Sequence, residues 1–180
     1  MAAVCVFCAS SQTLDQRWLD LAREVGERLA EQGHRVISGG GRVGMMGTLA
    51  QGARGRGGYT FGVIPRSLVD LEVADEESDE LVVTDGMAAR KVVMMDRADA
   101  FLVLPGGLGT LDELFEVWTT GVLGLHARPI VLLDVDGFYT GLVTWLRGLV
   151  AQGFVREDGL SMVHLARNVD EALDVVQRFG

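Results

Sequence analysis

Short apolar runs alternate along this chain with longer stretches whose apolar positions recur three and four residues apart. Runs over 4–7, 35–38, 59–64, 81–84, 100–104 and 129–133 have the length and apolar character of buried strands, and 160–165 adds a last short one. After the first run, Leu14, Trp18, Leu21, Ala22, Val25 and Leu29 mark one helical face, which Gly33 terminates. Helices are also predicted over 44–54, from Asp85 as cap, and beyond the glycines at 106–109 with Leu114, Val117, Trp118 and Val122 inward. Two more follow: 138–152, with Leu142, Trp145, Leu146, Leu149 and Val150 inward, and a final helix opened by the capping box Asn168-Val-Asp-Glu171, with Leu173, Val176 and Phe179 inward. This alternation predicts an α/β fold: a doubly wound, mainly parallel, Rossmann-like sheet with helices on both faces, in one domain over 1–180. Residues 65–80 interrupt the rhythm with an acidic stretch (Asp70, Glu72, Asp75, Glu76, Glu77, Asp79, Glu80). It is predicted to be an ordered loop or short helix over the carboxyl edge of the sheet, its charges most simply solvated.

The junction at 100–113 carries candidate chemistry. Pro105 ends the apolar run because it cannot donate to a ladder. Gly106, Gly107 and Gly109 are expected to take positive φ and let the backbone approach a ligand, their N–H groups forming an anion-binding concavity beside a helix start. Thr110 is placed to cap that helix and to offer a hydroxyl to a phosphate oxygen. Two readings of Glu113 stand side by side: Thr110-Leu-Asp-Glu113 fits a capping box, and it also sets a carboxylate within one turn of an anion site.

A second glycine turn, Gly39-Gly-Gly-Arg-Val-Gly-Met-Met-Gly47, follows the second strand in the same way. In a doubly wound sheet both turns lie at carboxyl ends of strands, so Gly40 and Gly41 join Gly106–Thr110 at one crevice. The spacing Gly39-x-Gly41-x-x-Gly44 matches a dinucleotide fingerprint, but the next strand runs into Ile64-Pro65-Arg66 where that fingerprint needs an acid, and no cofactor is expected. Ser10 and Ser11, just past the first strand, either reach the phosphate or ribose or merely start the following helix. Met45, Met46, Met87, Met94 and Met95 are read mainly as core, with base packing as the competing role.

Composition narrows the partners. The chain has 180 residues, 48% of them hydrophobic, with mean hydropathy +0.25, which suits a packed globular protein. A net charge of −9 and pI near 4.7 argue against a nucleic-acid surface and leave free mononucleotides open. No apolar run approaches the roughly 18 residues of a membrane span, and the N-terminus lacks a basic leader, so a cytoplasmic protein without membrane contact is expected. Cys5 and Cys8 are spaced to point to opposite faces of a strand, and His34, His126 and His164 are scattered. Two buried thiols are therefore expected, with no metal.

With Pro105-Gly-Gly-Leu-Gly-Thr-Leu-Asp-Glu113, the earlier glycine turn and Met87-Ala-Ala-Arg-Lys91 in this order, the sequence resembles the LONELY GUY family over nearly its whole length. Cys5-Val-Phe-Cys-Ala-Ser-Ser11, Gly62-Val-Ile-Pro65 and Val135-Asp-Gly-Phe-Tyr139 extend the match. The resemblance implies a phosphoribohydrolase that cuts the N-glycosidic bond of cytokinin riboside 5′-monophosphates and related nucleotides, AMP included, to free base and ribose 5-phosphate. It implies Arg90 and Glu113 as the catalytic pair. Lys91, Gly106, Gly107, Leu108, Gly109, Thr110, Thr119 and Glu72 are implied on the substrate, together with Ser10, Gly40 and Gly41 from the strand-end reading. Ala88 stands where members often carry histidine, Leu108 where tyrosine is common, and Ala9 where glycine is usual; the first two bear on the base pocket.

A second reading is a non-catalytic nucleotide or molybdenum-cofactor carrier, which needs the cradle but not the Arg90–Glu113 pair. A pyridoxal-phosphate decarboxylase using Lys91 is a third, supported only by an old family label. The family also implies a homodimer, and the helix after Asp85 is apolar over more than one face, which fits either a subunit boundary or full burial within one chain.

Overall fold

Successive residues of each central strand enter opposite cores. Val4, Val6, Leu102, Leu104, Val131 and Leu133 pack on one side, while Ala3, Cys5, Phe7, Phe101, Val103, Ile130 and Leu132 pack on the other. The computed structural model describes residues 1–71 and 73–179, the side chain of Phe179 excepted, so the expectations for Glu72 and for Phe179 lie outside the described residues. The strands are β1 (Ala3–Phe7), β2 (Arg35–Ser38), β3 (Thr60–Pro65), β4 (Glu80–Thr84), β5 (Ala100–Val103), β6 (Ile130–Leu133) and β7 (Val163–Ala166). They form one parallel sheet in the order β4-β3-β2-β1-β5-β6-β7.

Helices α1 (Gln16–Glu31), α2 (Gly44–Gly55) and α8 (Val169–Phe179) cover the first core. The second lies under α4 (Met87–Arg97), α5 (Leu108–Val122) and α6 (Thr140–Ala151); α3 (Arg66–Val69) and α7 (Glu157–Leu160) are single turns. Strand order reverses between β1 and β5, and the crevice at their carboxyl ends is where such sheets bind ligands.

The capping chemistry differs outright from the sequence expectation at two places. Helix α4 starts on Gly86 rather than Asp85, and α5 starts on Gly107 rather than Thr110; neither cap makes a side-chain hydrogen bond. Thr110 is therefore inside the helix, and no capping box joins it to Glu113. Gly106, Gly107 and Gly109 do not take positive φ; Gly40 (69°) and Gly44 (59°) of the other turn do. The box at Asn168 forms in part: its Oδ1 accepts the Glu171 N–H at 2.9 Å, but the Glu171 carboxylate accepts the N–H of Arg167, one residue before the cap, at 2.8 Å. Trp145, expected inward, is exposed, because its neighbour Leu146 takes the inward position about 100° away on α6.

The described residues of 65–80 hold α3 and a loop segment that folds back on the Gly39–Gly47 turn. The Asp75 N–H reaches the Gly40 carbonyl at 2.8 Å and the Arg42 N–H reaches the Val73 carbonyl at 2.8 Å. Glu76 and Glu77 are exposed as expected, but Asp75 is buried, held by both terminal nitrogens of Arg54 at 2.8 and 3.3 Å. Cys5 and Cys8 are buried free thiols in opposite cores.

Candidate active site

Four strand ends meet over the crevice. Cys8–Ser11 follow β1, Gly39, Gly41 and Val43 follow β2, Ile64 lies near the end of β3, and Gly107–Thr110 follow β5; together they line a cleft of about 450 Å³. Met46, Leu68, Leu71, Val73 and Met87 give it an apolar flank. Of the five methionines weighed, Met45 and Met94 are core, while Met46 and Met87 face this cleft.

Arg90 is the second anchor of the site, and α4 buries it to 6% exposure. Its Nε donates to the Val63 carbonyl at 3.0 Å and its Nη2 to the Gly39 carbonyl at 3.2 Å. The guanidinium thus bridges the ends of β3 and β2 and presents Nη1 to Glu113 Oε1 at 3.5 Å. A glycine is required at 39, because a Cβ there would lie 1.7 Å from Nη2. Arginine suits the post: its planar fork stays charged while serving several acceptors at once.

Glu113, in the second turn of α5, is 8% exposed, and no described residue hydrogen-bonds its carboxyl. Burial pushes its pKa up from 4.5 to about 7, against the pull of Arg90, which favours the charged form. The Cys8 thiol beside it is pushed up by burial and then by Glu113, so it is held as a neutral thiol.

The N-terminus of α5 opens on the same cleft. With no capping side chain and no acidic residue in its first turn, the amides of Leu108, Gly109 and Thr110 are left to an outside acceptor. A Cβ at Gly107 or Gly109 would meet nothing within 4 Å, so these glycines leave the approach to the amides open. Ser10 and Gly41 complete the polar wall. Gly106 stands behind it, under the Thr110 side chain, and Gly40 packs against Val63 and Leu81.

Two candidates sit elsewhere. Lys91 points between α4 and α5, where Asp112 (3.0 Å) and Glu116 (2.5 Å) hold its ammonium. Those partners, Glu116 first, raise its pKa, the reverse of what a Schiff-base lysine needs. Thr119 is exposed beside a separate apolar hollow with Phe115, Trp118 and Phe154. Sequence reasoning also missed supporting parts. Gly39 heads the quoted glycine triplet but gave no sign of Arg90, and Tyr139, at the end of a quoted stretch, donates its hydroxyl to the Leu104 carbonyl at 2.6 Å. Among the described residues no three His, Cys, Asp or Glu side chains cluster as metal ligands.

A family model described as "Possible lysine decarboxylase" matches residues 46–176. The chain is 50% identical to a cytokinin riboside 5′-monophosphate phosphoribohydrolase of Mycobacterium tuberculosis, over 94% of this chain and 90% of that one. It is 38% identical to an Arabidopsis thaliana protein of the same description, over 98% and 83%. Among solved structures, the molybdenum cofactor carrier protein of Chlamydomonas reinhardtii shares the fold, with TM-score 0.76 and 24% identity over 98% of this chain and 96% of that one.

Proposed function

Because this chain belongs to the LONELY GUY family of cytokinin riboside 5′-monophosphate phosphoribohydrolases, we propose that it hydrolyses the N-glycosidic bond of nucleoside 5′-monophosphates, yielding free base and ribose 5-phosphate. The observation that carries this reading is a buried carboxyl with a burial-raised pKa, facing an anchored guanidinium, one turn from uncapped helix amides. Breaking the C1′–N bond builds positive charge on the ribose and negative charge on the departing base. Glu113 as carboxylate stabilises that cation or orients the attacking water, whose hydroxyl joins C1′ as the C1′–N electron pair leaves with the base, and the proton the water loses balances the one the base gains. Arg90 binds the substrate and offsets charge on the leaving side. The amides of Gly107–Thr110 hold the phosphate with Ser10 and Gly41, and the apolar flank takes the base; Gly40 and Gly106 shape the two turns from behind.

Lys91 acts through packing, tying the helix of Arg90 to that of Glu113. Glu72 and Thr119 enter the site on the resemblance alone. The protein is a homodimer in this reading. Met87, Ala88, Ala89 and Val92 on α4, Phe115 on α5 and Leu123 just past its end are exposed, so α4 is not internal to one chain and offers an apolar face to a second copy. Among the described residues no helix is long and apolar enough to cross a membrane, and two buried free thiols suit a reducing cytoplasm.

A passive carrier would use the cradle but has no need of an acid desolvated against an arginine. Incubation with AMP and with isopentenyladenosine monophosphate tests the reading: free base and ribose 5-phosphate should appear from both. Cleavage of the unphosphorylated riboside at an equal rate, or binding without release of base, would overturn it.

A further inference from the structure

We infer that Tyr139 is a positioning residue for the phosphate turn, fixing from outside the cleft the place of the amides that grip the substrate. The inference rests on the proposed function and adds a residue to it. The turn that ends β5 has few ties of its own. Leu104 N–H still bonds the Phe7 carbonyl at 2.9 Å, but Pro105 has no N–H to give, and the glycines after it have no side chains to anchor. The Leu104 carbonyl lies beyond the last register pair between β5 and β6, and it is taken by Tyr139 Oη at 2.6 Å.

The phenol can serve as a fixed post because it is itself held at its base. Asp134, at the end of β6, accepts the Tyr139 N–H at 2.5 Å, the Thr140 N–H at 3.1 Å and the Thr140 hydroxyl at 2.8 Å. Asp136 (φ 55°) and Gly137 (φ 73°) turn the chain back so that the Tyr139 ring enters the core, and the exposed ring of Phe138 meets it edge-on at 4.9 Å. Tyr139 is 2% exposed, and its ring is locked as well as its hydroxyl. The direct line is Asp134, Tyr139, Leu104, then the turn. Misplacement of such a turn weakens every amide contact to the phosphate together, while the carboxyl, a turn further along α5 and faced by the anchored Arg90, is displaced less.

The test is Y139F, which deletes one oxygen and keeps the ring. One lost hydrogen bond of this kind corresponds to about a 5–10-fold loss in binding. KM for AMP and the inhibition constant of ribose 5-phosphate should both rise by about that factor, while kcat stays within about 2-fold and the inhibition constant of free adenine does not move. T140V, which loosens the same post at Asp134, should shift both in the same direction by less. V176A, at a buried position of α8 in the opposite core, is the stability control: it should lower the melting temperature without changing KM. Unchanged ribose 5-phosphate binding in Y139F, or equal losses for adenine, would overturn the inference. Failure of the wild-type protein to release base would instead strike the proposed reaction, because ribose 5-phosphate binding by calorimetry scores Tyr139 independently; if wild type does not bind that ligand, both fall.

Discussion

Arg90 and Glu113 meet across the crevice with 3.5 Å between Nη1 and Oε1, each almost fully withdrawn from water and each carried by a different helix. The arginine is fixed by main-chain carbonyls, while no described residue hydrogen-bonds the carboxyl. That asymmetry makes the glutamate the group free to engage a substrate.

E113Q keeps the shape of the side chain and removes its charge. We expect kcat for AMP to fall by on the order of 10²–10³, with the circular dichroism spectrum unchanged. Turnover at the wild-type rate would remove Glu113 from the chemistry.

The raised pKa of Glu113 gives two pH profiles. Folded, the group titrates near 7; unfolded, near 4.5, so between these values the native state holds the extra proton and stability falls as pH rises through the window. The loss is at most about 3 kcal/mol. E113Q lacks this titration, so it should be more stable than wild type at pH 8 and equal to it at pH 4 in thermal unfolding. In wild type, kcat/KM should climb with pH and level off above about 7, as the carboxylate form accumulates in the free enzyme.

G39A changes neither catalytic side chain, yet its methyl would fall 1.7 Å from the Arg90 terminal nitrogen. The guanidinium must leave the Gly39 carbonyl, and activity should drop by at least about 100-fold, close to the effect of R90A. A G39A enzyme with normal kcat would show that the clamp is dispensable.

G109A separates folding from binding. Nothing in the chain obstructs a methyl there, and alanine in the first turn of α5 should stabilise the helix by about 0.5–1 kcal/mol. The same methyl stands over the amides, so KM for AMP should rise about 10-fold while the melting temperature holds or increases. A G109A enzyme with unchanged KM would place the phosphate elsewhere.

V92D puts a charge on the exposed apolar face of α4, where Val92 is 53% exposed. Sedimentation should find wild type as a dimer and V92D as a monomer of intact secondary structure. A monomeric wild type would end the homodimer reading.

The strands were legible because a parallel sheet buried on both faces leaves runs of apolar residues that no loop needs, and β2 fell at its predicted bounds. The last strand moved from 160–165 to Val163–Ala166 because α7 claims Leu160. Helix starts were less legible. Capping rules favour side chains that satisfy the first amides, and at Gly86 and Gly107 the chain starts a helix without one. Glu113 was ambiguous for the same reason, since its spacing from Thr110 is that of a cap. Arg90 could be singled out by its motif, but its partners at Val63 and Gly39 lie 27 and 51 residues away in the chain, and Leu104 lies 35 from Tyr139. Such pairings are set by sheet order, which local patterns do not encode.

The reversal of strand order between β1 and β5 also sets a schedule for synthesis. β1 is made before β2 and gains it early, yet its other flank stays bare until nearly a hundred residues have followed. A nascent chain halted at the end of α4 would own the arginine and its carbonyl props but no acid to face it, and would expose an apolar strand edge. Assembly of the reactive centre therefore waits for β5 and the start of α5, and a chain halted before them should yield aggregates rather than a leaky hydrolase.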